Sequence, residues 1–458
     1  MKKKSAFFLI VAFSILKIDF SRAQELTDPC KNQLEPNGSL AINWRNIGPE
    51  KSGYEYHVQN QVYLSDVFLG TKKCLKDKIP LLVEFQIPTA NQGKVILYRL
   101  SATFNYNKNL EFELGKFLVP FGHYNELYRS DHFLSLTRPL LYASPDSLDL
   151  VARPNLPRPP QSAGRTDLGL KASYFPKSQN KLVPSEITLC VVNGLGEINN
   201  RLRGRPYSRN FRISPPSIEG TDIDFGHLNN NLEDNNNLKE ICSRIKFALG
   251  DLKMAHPISE RKQLKLKGLS LSFSGAHSST YALERGMTYG MIGTDLQFQY
   301  QKFSFVAEYI YSENQFSKAR GDLNNIVNFS QNTNFLPKEM EINNGYYLQG
   351  TVPIWKKMPL GERLLGIVAF NRLERRGPKL IYSANKNPDT KIPILIFPNK
   401  NKTITTSLEK YTFGLAAEIN DNFLLKGEFS YWDLNIPPVN GKKQKNNYQF
   451  GTSLVISF

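Results

Sequence analysis

Apolar and polar residues alternate with a period of two through most of this chain. Tyr98, Leu100, Ala102, Phe104 and Tyr106 share one face, and Leu110, Phe112 and Leu114 follow after the turn Asn107-Lys108-Asn109. Leu168, Leu170, Ala172 and Tyr174 repeat the pattern, as do Ile245, Phe247 and Leu249, and then Leu269, Leu271 and Phe273. Leu296, Phe298 and Tyr300 turn at Gln301-Lys302 into Phe303, Phe305, Ala307, Tyr309 and Tyr311. Tyr411, Phe413, Leu415, Ala417 and Ile419 turn at Asn420-Asp421-Asn422 into Phe423, Leu425, Gly427, Phe429 and Tyr431. Side chains of a strand point alternately to its two faces, so these are strands with one apolar face, joined as antiparallel hairpins. The final residues sharpen the pattern. Tyr448, Phe450, Thr452, Leu454, Ile456 and Phe458 face one way, and Gln449, Gly451, Ser453, Val455 and Ser457 the other. Between Leu364 and Leu373 both faces are apolar, and the phase is open.

Connections alternate between tight turns and long polar stretches, namely Pro120 to Thr166, Ser312 to Asn344 and Asp433 to Asn447. Short turns on one side and long loops on the other characterise membrane barrels. The N-terminus fits. Lys2, Lys3 and Lys4 precede an apolar run from Ala6 to Leu16, with Ser21 and Ala23 behind it. This predicts a signal peptide over 1–23, and Cys30, after Asp28 and Pro29, is no lipid-attachment site. No later segment approaches the ~20 apolar residues of a spanning helix. A membrane location then requires a closed barrel, since only helices and barrels satisfy their backbone groups in lipid. The reading is an all-β, transmembrane, antiparallel up-and-down β-barrel over 53–458, preceded by a periplasmic extension or lead-in over 24–52. About 14 to 18 strands fit the length, and about 16 is the expected count.

Composition agrees without deciding the matter. Mean hydropathy is low, at -0.38, while aromatic residues reach 12%, as expected where only alternate residues meet lipid. The net charge is +17, and most of it survives loss of the leader. Such a surplus attracts anionic solutes or anionic lipid. Export excludes nucleic acid as a partner. Cys30, Cys74, Cys190 and Cys242 show no CxxC spacing, which argues against zinc. Export permits disulfides, and Cys30 with Cys74 and Cys190 with Cys242 is one of the possible pairings. No metal or cofactor is expected.

The stretch Gly115-Lys116-Phe117-Leu118-Val119-Pro120-Phe121-Gly122 resembles a motif at the end of an early strand in the bacterial outer-membrane porin superfamily that includes the phosphate-selective porins. Gly293-Thr294-Asp295, Ala307-Glu308-Tyr309 and the hairpin and terminal strand from Tyr411 to Phe458 are similar to the same family. A chain ending on an aromatic strand residue resembles the closing strand of such barrels. The resemblance implies an outer-membrane location and a general or anion-preferring diffusion channel, usually a homotrimer. No regular ladder of Arg and Lys marks the strands, so phosphate selectivity does not carry over.

Polar faces of the strands give lumen candidates of both signs: Arg99, Lys171, Lys246 and Lys426, with Glu111, Glu113, Asp295 and Glu308, and also Asp167, Glu418 and Glu428. The long stretch after the Pro-Phe-Gly motif is the candidate constriction loop. It carries Arg129, Arg138, Arg153, Arg158 and Arg165 with Glu126, Asp131, Asp146 and Asp149. Folded inward, it would set charge selectivity at the narrowest point. Otherwise it is a solvated external loop. Arg201, Arg203, Arg205, Arg209 and Arg212 form a basic mouth-loop cluster, suited to anions or lipid phosphates. His123, Asp131 and His132 are the only grouping an enzyme at the rim would use, and they form no Ser-His-Asp arrangement. The expectation is a passive channel for small hydrophilic solutes with a modest preference for anions such as phosphate, and not an enzyme. The alternative is a barrel serving as an adhesin or a structural, partner-binding protein.

Overall fold

The structure is a computed structural model. It describes residues 35–47, 60–75, 79–88, 95–126, 129–142, 157, 160, 164–176, 183–193, 239–248, 268–282, 285–300, 303–316, 339–358, 361–383, 395–435 and 447–458. The strands are β1 (Glu35–Ile47), β2 (Asn60–Leu75), β3 (Ile79–Pro88), β4 (Ile96–Asn107), β5 (Leu110–Leu118), β6 (Thr166–Tyr174), β7 (Glu186–Val192) and β8 (Glu240–Ala248). They continue as β9 (Gly268–Ala282), β10 (Arg285–Tyr300), β11 (Phe303–Phe316), β12 (Glu339–Met358), β13 (Gly361–Ser383), β14 (Leu395–Glu418), β15 (Phe423–Asn435) and β16 (Asn447–Ser457). One short helix, α1 (His123–Glu126), follows β5. Each strand pairs with its sequence neighbours, and β1 pairs with β16, so the sheet closes as a 16-stranded barrel. The seam joins the two ends of the described chain. Ser39 lies opposite Ser457, and the Gly38 amide donates to the Phe458 carbonyl at 2.8 Å. Closure leaves no unpaired edge.

The period-two pattern determines which side of the wall each residue takes. Leu114, Leu170, Ile245, Phe273, Phe413, Leu425 and Phe450 are exposed on the outer face, while Glu113, Arg244, Asp295, Glu308, Lys426 and Glu428 are buried on the inner one. The doubtful stretch in β13 resolves the same way, with Leu365, Ile367, Ala369 and Leu373 inside and Val368 outside. An apolar outside around a polar inside is the arrangement that suits a barrel to lipid. Outer aromatic rings touch strand to strand: Tyr346 meets Phe370, Phe370 meets Tyr411, and Tyr411 meets Tyr431. The turns hold by local side-chain bonds. The Asn107 side-chain oxygen accepts from the Asn109 amide, and that of Asn420 accepts from the Asn422 and Phe423 amides. Asn in such turns acts through its own side chain.

Two expectations need correction. The lead-in placed over 24–52 contains a barrel strand, because β1 pairs both β2 and β16. Its mixed sequence concealed the alternation. Tyr98 is not on the outer face. The β3–β4 register shifts between Glu84 and Phe85, leaving Tyr98 as an extra residue. It turns inward, and its hydroxyl bonds the Gly164 carbonyl. Such a bulge flips a side chain without breaking the ladder. The interior also carries apolar side chains. Val192, Met291, Ile310, Leu373, Leu408, Trp432 and Leu434 face inward and pack in one cluster with Phe121, Phe133, Leu140 and Tyr142 from the β5–β6 connection.

Cys74 is in a disulfide, whereas Cys190 and Cys242 are free and buried. The leader over 1–23, Cys30, Arg153, Arg158, Asp146, Asp149 and the cluster Arg201, Arg203, Arg205, Arg209 and Arg212 lie outside the described residues.

Candidate functional site

The glycines and proline of the Gly115–Gly122 motif redirect the chain from the wall into the lumen. Gly115 has φ +124°, and a Cβ there would stand 2.2 Å from the Leu100 carbonyl oxygen. Beyond the end of β5, the Phe121 amide donates back to the Val119 carbonyl at 2.8 Å, a tight turn centred on Pro120. Gly122 has φ +75°, and a Cβ would collide with the Tyr142 hydroxyl and the Glu308 carboxylate. Only glycine takes both conformations without strain. α1 follows, and the described part of the segment, 119–126 and 129–142, is mostly buried inside the barrel, with Glu126, His132 and 136–138 half-buried.

Backbone groups of an irregular chain packed inside a barrel and shielded from water need other partners. Here wall side chains supply them. Glu308 accepts from the amides of His123 (3.0 Å) and Tyr124 (3.4 Å) and from the Tyr142 hydroxyl. Glu428 accepts from the amides of Leu136 (2.7 Å) and Thr137 (3.1 Å) and from the Thr137 hydroxyl. Lys426, on the same face of β15, donates to the carbonyls of Ser130 (2.6 Å), Phe133 (2.5 Å) and Ser135 (3.2 Å). Lys410 donates to the Thr137 hydroxyl and the Arg138 carbonyl, and Asn371 accepts from the Leu140 amide at 3.1 Å. Acids thus take the amides and lysines take the carbonyls. Leu134 enters an apolar pocket of Ala41, Leu365, Ile367, Ala416, Leu424 and Val455.

Charged pairs fix the rest. Arg244 donates to the Gly122 carbonyl (2.9 Å), Glu126 (2.7 Å) and Asp295 (3.0 Å), and Lys246 reaches Glu126 (3.0 Å) and Glu186 (3.2 Å). Arg129 forks onto Asp131 with two bonds of 3.0 Å and reaches Glu84 at 3.4 Å. At the exit from the lumen, Arg165 pairs with Glu240 through both guanidinium nitrogens, and its amide donates to the Asn125 side chain at 2.7 Å. Burial pushes the Asp131 carboxyl up, but His132 and Arg129 outweigh it and hold it below the usual carboxylate range. Burial holds the His123 imidazole below its ordinary value.

The structure therefore gathers Glu126, Arg129 and Asp131 of the constriction candidates in one inward-folded segment, with Arg138 contributing its carbonyl, and Arg165 stands beside it just before β6. Among the lumen candidates, Lys246, Lys426 and Glu308 hold that segment, Asp295 pairs with Arg244, and Lys171 pairs with Glu113 on the wall. Arg99 lies opposite Glu84 across β3–β4, and Glu111 lies opposite Ser173 across β5–β6. His123 bonds Gln297 on β10 at 2.7 Å, whereas Asp131 is held by Arg129 of its own segment and lies 3.8 Å from His132. Sequence reading missed Glu84, Glu240, Arg244, Asn371 and Lys410. Extending the period of two from Lys246 would have reached Arg244 and Glu240.

Solvent reaches the two sides of the segment unequally. Side chains toward β14–β15 are nearly sealed, at 3% exposure for Lys410 and 2% for Glu428. Toward β6–β8 exposure is mixed: Lys171 keeps 19% and Lys246 and Glu126 keep 21% and 36%, while Arg165, Glu240 and Arg244 are sealed at 1%, 0% and 1%.

No family model and no curated protein matches the chain. Among solved structures, the anion-selective porin of Comamonas acidovorans aligns over 93% of this chain and 99% of its own, at 10% identity and TM-score 0.48. OprB of Pseudomonas putida aligns over 93% and 94%, at 8% identity and TM-score 0.49. Salmonella typhi OmpF, in complex with daunomycin, aligns over 94% and 98%, at 9% identity and TM-score 0.45. The class of architecture, a closed 16-stranded antiparallel barrel, rests on the chain's own strand pairing.

Proposed function

We propose that the protein is an outer-membrane porin, a passive diffusion channel for small hydrophilic solutes, in which the segment over 119–142 narrows the lumen. The observation that carries this reading is the asymmetric docking of the segment. Wall acids and lysines, with Arg244, bind its backbone, while Lys171, Lys246 and Glu126 toward β6–β8 keep contact with solvent. A passage along that wall would be lined by Lys171, Lys246, Glu126 and Glu186, a mixed set that discriminates weakly by charge. The arginines Arg129 and Arg165 are neutralised by carboxylates, so they fix the segment more than they attract anions. The modest preference for anions such as phosphate rests on the net charge of +17. The same reading carries a homotrimer in the bacterial outer membrane.

Liposome swelling with neutral sugars of graded size tests it. Entry of small sugars with a size cut-off is the expected result, and a salt-gradient reversal potential should lie slightly on the anion side. Liposomes carrying correctly folded barrel but impermeable to every sugar would contradict the channel and favour the adhesin or partner-binding alternative.

A further inference from the structure

Cys190 on β7 and Cys242 on β8 lie directly opposite one another in the strand register. Both are free thiols facing the interior, at 1% and 0% exposure. Their thiols hydrogen-bond each other, and that of Cys242 also donates to Glu240 at 3.1 Å. Directly opposed residues of an antiparallel pair hold their Cβ atoms ~4.5–5.5 Å apart. A disulfide needs ~3.5–4.5 Å, so a contraction of about 1 Å closes the bond. The position is notable too. β7 ends at Val192 and β8 begins at Glu240, so the pair stands at the root of the connection over 193–239, which carries the five arginines from Arg201 to Arg212. The chain also holds Cys74 in a disulfide, which fits a compartment where disulfides persist.

We propose that Cys190 and Cys242 form a cross-strand disulfide in the exported protein, stapling the root of the β7–β8 loop. The oxidant is a protein carrying a reactive disulfide. One cysteine loses its proton and attacks that disulfide, giving a mixed disulfide and one released thiol of the oxidant. The second cysteine, deprotonated in turn, displaces the other oxidant sulfur. One S–S bond forms here, one breaks in the oxidant, and the oxidant leaves as a dithiol. Both thiols are enclosed once the barrel closes, so exchange precedes closure. Glu240 then loses the Cys242 donor and keeps its pair with Arg165.

The test uses the full mature protein, extracted from membranes and acid-quenched. It is alkylated with iodoacetamide in denaturant without reductant, digested and read by mass spectrometry. The expected result is a Cys190 peptide linked to a Cys242 peptide, with neither residue alkylated. In Cys190→Ser, Cys242 should become the alkylated residue. Alkylation of both in the wild-type chain, or linkage of either to Cys74, would overturn the proposal. None of these readouts depends on conductance.

Discussion

Arg165 shows how much one side chain carries where the internal segment leaves the lumen. Its guanidinium and the Glu240 carboxylate are 1% and 0% exposed, and its backbone bonds both Asn125 and Val119. Removing one partner of a buried ion pair leaves the other charge without compensation. Arg165→Ala should therefore cost about 3–5 kcal/mol, read as a lower midpoint in guanidinium unfolding followed by circular dichroism. Arg165→Lys should recover only part, because a single ammonium cannot make the two-pronged contact. At this scale the sequence was readable wherever alternation was regular. Lys246, Lys426, Asp295 and Glu308 stood on polar faces and are inside. Tyr98 was not readable, since its bulge is set by pairing with β3. Nor was the partner of Arg165, because Glu240 belongs to β8, which pairing through β7 brings near.

The internal segment is the element that distinguishes this barrel from an empty cylinder. Its motif announced an unusual strand end, and its length implied more than a connector. The path was not legible, since it depends on which wall positions offer acids for amides and lysines for carbonyls. Its docking should weaken in two stages as pH falls. Asp131 titrates below its ordinary value of 3.8, so the stability it contributes is present above that pH and is lost as pH falls through the lower folded value. His123, kept neutral by burial below its ordinary value of 6.5, has the same sign, because the unfolded chain gains the proton first. Single-channel conductance should be constant above about 6.5, begin to change as pH falls below that value and change further below about 3.8. Conductance unchanged from neutral pH to below about 3.8 would contradict this docking scheme.

For the whole molecule, the account claims a water path narrowed by a segment that the wall holds through charged side chains. Alternation, turn chemistry and the terminal strand made the closed barrel legible before any coordinates. The apolar half of the lumen was not, because Trp432, Leu408 and Leu434 follow the same inward phase as polar neighbours and are apolar only because the segment covers them. The most direct measurement is single-channel conductance in planar bilayers of the wild-type protein beside Lys426→Met/Glu428→Gln. That double variant removes the ammonium from three backbone carbonyls and weakens the hold on two amides. Circular dichroism and heat-modifiable gel mobility would check that both barrels are folded. The account predicts stable wild-type steps and larger, noisier steps in the variant as the segment loosens. Identical steps in the two proteins, or none from either folded barrel, would contradict it.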